Sequence, residues 1–148
     1  MEYKNIDSQH LLVRLDPNEE IVTALMQVAE KEKIGLAMVQ GLGAVKKVVM
    51  GVYNVPAQHY QANTLEGAFE MLSLTGTIDT MANKPYSHFH ITVGDEHGAA
   101  HGGHLNEAVI SATASHRPPR GRLSPAAPPA RVRVRAAWGA NSGRCCTT

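Results

Sequence analysis

The chain has 148 residues, room for one domain of ordinary size, and a formal charge of +1 made from fourteen lysines and arginines against thirteen acids. No run of eighteen apolar residues occurs in it, which excludes a transmembrane helix. The opening Met1-Glu2-Tyr3-Lys4-Asn5-Ile6-Asp7 lacks the basic-then-apolar order of a signal peptide, and the only cysteines are the adjacent Cys145 and Cys146. No disulfide framework follows from that pair, so a reducing, cytoplasmic setting is expected.

The small net charge conceals a division. Residues 1–115 hold all thirteen acids and seven bases, a balance of −6, whereas residues 116–148 hold seven arginines and no acid. The second segment also carries five of the eight prolines and one leucine, with no isoleucine, phenylalanine or methionine. It is expected to be disordered, because so little apolar surface cannot offset the entropy of ordering it. Two origins stay open for it: a basic arm for nucleic acid or an acidic surface, and a reading frame that shifts near Ser115. We therefore divide the chain into a domain, residues 1–115, and an arginine-, proline- and alanine-rich tail, residues 116–148.

In chain order, Leu11-Leu12-Val13-Arg14-Leu15 reads as a first strand. Asp16-Pro17-Asn18-Glu19 then predicts a helix start, with Asp16 as N-cap, Pro17 in the first turn and Glu19 at the third position. The helix is expected to run to about Lys33, to carry Ile21, Leu25, Val28 and Ala29 on one stripe, and to end at Gly35. Leu36–Gln40 is a short strand leading into Gly41-Leu42-Gly43-Ala44. These glycines lack the third glycine and following helix of a dinucleotide fold, so a bulge or tight bend is expected. Val45–Tyr53 and Phe69–Ile78 are further strands, with turns at Asp79–Lys84 and at Asp95-Glu96-His97-Gly98. Val109–Ala114 begins a last strand, which Pro118-Pro119 would stop. Many strands, short loops and one good helix predict an α+β fold with a largely antiparallel sheet.

The chemistry concentrates in Pro85-Tyr86-Ser87-His88-Phe89-His90 and Gly102-Gly103-His104-Leu105. Strand alternation puts Phe89, Ile91 and Val93 on one face and His88 and His90 on the other, the two histidines about 7 Å apart. A tight turn at Gly102-Gly103 could bring His104 over them. Three imidazoles with a fourth position open is the arrangement of a catalytic or ligand-exchanging zinc site. The alternative reading of the same residues is a strand with two solvated histidines beside a glycine loop.

Together with Glu70-Met71-Leu72-Ser73-Leu74-Thr75-Gly76 and Gly41-Leu42-Gly43-Ala44, these segments resemble the plants-and-prokaryotes-conserved (PPC) domain from roughly Leu11 to Ala114. The resemblance implies an antiparallel α+β fold assembled into a homotrimer. It also implies a DNA-binding or transcription-regulatory role, since the domain follows AT-hooks in plants and stands alone in bacteria. By matching position it makes His88, His90 and His104 the metal ligands, with zinc the expected ion, and sets Glu70 at an acidic position that could accept from an imidazole N–H. His97 and His101 match no motif and read as loop residues.

The balance of −6 in the body argues against phosphate contacts by the domain itself. In the tail, Pro119-Arg120-Gly121-Arg122-Leu123 approaches an AT-hook core but ends on the wrong residue. The alternative is a zinc-dependent hydrolase or lyase acting on an unidentified small molecule, with Glu70 as a candidate base. A scaffold ordered by its metal is a third reading.

Overall fold

The computed structural model describes residues 1–82, 84–111 and 131–136. It contains seven strands and one helix: β1 (Glu2–Asn5), β2 (His10–Arg14), α1 (Ile21–Lys31), β3 (Ala37–Asn54), β4 (His59–Met81), β5 (Lys84–Gly94), β6 (Ala100–Ile110) and β7 (Arg131–Ala136). All strands pair antiparallel in one sheet of order β1-β2-β7-β3-β4-β5-β6, and β6 returns to pair with β3. The α+β expectation holds.

The helix differs from its expected limits at both ends. Glu20 is the N-cap, and its carboxylate accepts from the amides of Val22 and Thr23 at 2.9 and 2.7 Å. Asp16–Glu19 is instead a separate turn, in which Asn18 takes a left-handed φ of 70° that the first turn of a helix cannot contain. That turn is tied to β6 through Asn18 N to Ile110 O and Ile110 N to Glu19 O. At the other end Lys33, at φ 53°, takes the left-handed position expected of Gly35. The Ile34 amide donates to Ala29 O and the Lys33 amide to Glu30 O, the paired closure of a Schellman motif.

The strand readings from Leu36 to Tyr53 fuse into β3, because the glycines make a bulge between Gly41 and Gly43 rather than a break. Gly102 and Gly103 do not form a turn. They lie inside β6, and the chain reverses earlier, at Asp95–Gly98, where Gly98 has φ 79°.

One stretch of the C-terminal segment departs from the expected disorder. Within residues 116–148, expected to be disordered, Arg131–Ala136 form β7 and fill the slot between β2 and β3. Val132 and Val134 are buried and Arg133 and Arg135 exposed, an alternation that fits a strand with one face on the core. The AT-hook-like Pro119–Leu123, the end of the Val109–Ala114 strand and both cysteines lie outside the described residues.

One face of the sheet packs on α1. Phe89, Ile91 and Val93 of β5 and Leu105 and Ala108 of β6 join Ile21, Leu25 and Val28 in a single buried cluster. The opposite face has no helix over it among the described residues and exposes Met38, Leu42, Leu72 and Tyr53. His88, His90 and His104 lie on that face, since each alternates with a buried neighbour, Phe89 or Leu105.

Candidate metal centre

Strand pairing converts a separation of fourteen residues into direct contact: His90 is the register partner of His104. The ligand atoms of His88, His90 and His104 all lie within 4.8 Å of one another. The His88 and His90 Nε2 atoms stand 3.3 Å apart, and the ring centroids of the trio are separated by 5.0 to 5.7 Å.

The His88–His90 spacing suits a tetrahedral ion. Metal–imidazole bonds of about 2.0–2.1 Å put neighbouring nitrogens about 3.3 Å apart. The donor set is chemically suitable as well, because among the described residues three imidazoles and no lysine or arginine line the cleft. Burial foremost, and then the neighbouring His88 and His90, hold the His104 imidazole below its ordinary 6.5. It therefore stays in its neutral, ligating form to lower pH than a solvated histidine would. The trio is a group able to hold a metal ion.

The backbone is arranged to let these side chains meet. Gly76 of β4 runs so close to β5 that an added Cβ would lie 2.0 Å from His88 O and 2.8 Å from Phe89 Cα. An added Cβ on Gly103 would lie 2.7 Å from Gly51 O. Glycine is what permits both approaches.

One site residue was not visible in the sequence. Tyr60 of β4 reaches across β3 over Gly51, where a Cβ would lie 2.6 Å from the tyrosine ring. Its hydroxyl donates to Asn106 Oδ1 at 2.5 Å and stands 3.4 Å from His104 O, and its ring meets the His104 ring edge-on at 6.2 Å between centroids. No local pattern announces such a contact, because it joins three strands from distant parts of the chain.

Glu70 is not brought to the imidazoles. It pairs with Ala44 and Gly94, five residues along β4 from the partner of His90, or about 17 Å at strand rise. It lines a second, larger cleft of about 1080 Å³ with Leu12, Leu42, Leu72 and Arg133. His101 stands in β6, its Nε2 3.2 Å from Asp95 Oδ2, and His97 is in the exposed turn. Neither joins the trio.

The chain matches the Plants and Prokaryotes Conserved (PCC) domain over residues 1–116. Among solved structures it is similar to a Bacteroides thetaiotaomicron protein provisionally described as DNA-binding, at 25% identity and TM-score 0.79 over 93% of this chain and 85% of that one. A Pyrococcus horikoshii plant- and prokaryote-conserved (PPC) protein is 25% identical at TM-score 0.74, covering 90% and 81% of the two chains. A protein of Archaeoglobus fulgidus described as metal-containing is 25% identical at TM-score 0.72, covering 92% and 84%. No curated protein matches.

Proposed function

The chain belongs to the Plants and Prokaryotes Conserved domain family, and from that premise we propose that it is a zinc-binding, DNA-associated regulatory protein working as a cytoplasmic homotrimer. The observation that carries the metal is the convergence of His88, His90 and His104. Imidazole donors favour zinc among the common cellular ions, and the similarity to a metal-containing archaeal protein agrees with that choice. The DNA role draws on the similarity to the Bacteroides thetaiotaomicron protein provisionally described as DNA-binding. In a body of net −6, phosphate contacts fall to the C-terminal segment, whose Arg133 and Arg135 project from one face of β7. The homotrimer is what the family resemblance implies.

A second reading is favoured by the exposure of the site. His88 and His90 are open to solvent, so a zinc ion held there keeps an exchangeable position. Bound water at such an ion has its pKa lowered towards 7, which suits hydrolase or lyase chemistry. Glu70 is too remote within one chain to serve as its base.

Elemental analysis of protein expressed with zinc tests the metal reading. About one zinc per chain is expected in the parent and none in a folded His88→Ala/His104→Ala variant; a well-folded parent without metal would end it. Binding of duplex DNA that weakens steeply with salt, and is lost in Arg133→Ala/Arg135→Ala, tests the regulatory role. No binding at low salt would leave the enzyme reading.

A further inference from the structure

The cleft beside the three histidines has a wall that the metal reading does not use. Tyr53 and Tyr60 are register partners in β3 and β4, so both side chains project from the histidine face. Tyr53 is two residues from Gly51, itself the register partner of His104. Both tyrosines line the same cleft of about 390 Å³ as His88, His90 and His104. Tyr60 is held in place by Asn106 and by its passage over Gly51, whereas Tyr53 is 54% exposed.

The charges around the cleft are equally specific. Three neutral ligands leave a bound zinc ion its whole charge of +2. Among the described residues no Asp or Glu lines the cleft, so none of them offers a carboxylate to neutralise the ion there. No described Lys or Arg lines it either, so among these walls only the metal would supply a positive charge to an anion. A multiply charged group such as phosphate depends on several charge-assisted donors, which these walls do not supply.

We propose that the cleft is a binding site for a small aromatic monocarboxylate, its carboxylate on the metal and its ring against Tyr53 and Tyr60. This rests on the zinc reading above and adds the ligand class. The ring gains aromatic contact on a wall already fixed by Tyr60, so little ordering is needed on binding. The carboxylate meets the metal, the one cation among the described walls of the cleft.

The test uses the full chain loaded with zinc, with metal content measured first, and titrates it calorimetrically with benzoate, acetate and inorganic phosphate. Benzoate is expected to bind about tenfold more tightly than acetate and more tightly than phosphate. In Tyr53→Ala that preference should vanish, with zinc content reporting that the variant is folded. Chelated protein should bind none of the three. Equal affinities for benzoate and acetate in the zinc-loaded parent, an undiminished preference in Tyr53→Ala, or phosphate as the tightest ligand would each overturn the ligand class and leave the metal site standing. A parent that takes up no zinc would overturn the metal reading, and this inference with it.

Discussion

Two histidines one residue apart on a strand point the same way by backbone geometry alone, which makes His88 and His90 a pair legible in the sequence itself. The third candidate ligand could be named from the sequence but not placed. His104 reaches the pair because β6 lies against β5 in a register that sets it opposite His90, not because of a glycine turn. Tyr60 was out of reach altogether, since its partners Gly51, His104 and Asn106 are neighbours only after β3, β4 and β6 have assembled. Two substitutions probe these contacts. Tyr60→Phe removes the bond to Asn106 while keeping the ring; it should cost about 1 kcal/mol in a denaturant titration and weaken zinc binding up to about tenfold. Unchanged zinc affinity would reduce Tyr60 to a structural contact. Gly76→Ala meets backbone atoms of His88 and Phe89 that have nowhere to go. Destabilisation of about 3 kcal/mol, the upper range for overpacking, is expected in chemical denaturation.

Among the elements, the helix was legible because its apolar stripe and polar back follow the 3.6 period. Its ends were not, because Asn18 and Lys33 adopt left-handed conformations that sequence signals assign first to glycine. The turn between β5 and β6 lies at Asp95–Gly98, where the sequence puts it, and its energetics follow from Asp95. Its carboxylate accepts from the amides of His97 and Ala99, each at 2.9 Å, and faces the His101 ring. The His101 interaction foremost, and then those amides, hold the Asp95 carboxyl below its ordinary 3.8. A lowered carboxyl pKa stabilises the fold above the unfolded value and loses that contribution as pH falls through the folded one. The parent should therefore melt above Asp95→Asn at neutral pH, and the gap should close as pH drops below 3.8. A gap independent of pH would assign the effect to something other than ionisation. This turn sets the register of β6, so its loosening should also lower zinc occupancy.

For the molecule as a whole, the sequence supplied the α+β class but misjudged what completes the sheet. Composition over residues 116–148 argued against order, and that average hid the strict Arg-Val alternation of Arg131–Arg135, which is itself a strand signal. A strand with two valines can persist where flanking strands already provide a slot, and β2 and β3 do so. Truncation after Ser115 should accordingly uncover two strand edges and the core beneath Val132 and Val134. Burial of those two side chains is worth about 1.5–3 kcal/mol each, so the truncated chain is expected to melt lower and to aggregate. A truncated chain with the parent's melting temperature would show that β7 contributes nothing to the fold.

In the proposed metal centre one ion joins β5 to β6 through three imidazoles. The most direct measurement is diffraction from crystals of zinc-loaded protein, recorded on both sides of the zinc absorption edge. One anomalous peak per chain is expected between His88, His90 and His104, with nitrogens at about 2.0–2.1 Å. A peak elsewhere, or none in crystals of protein that carries zinc, would contradict it.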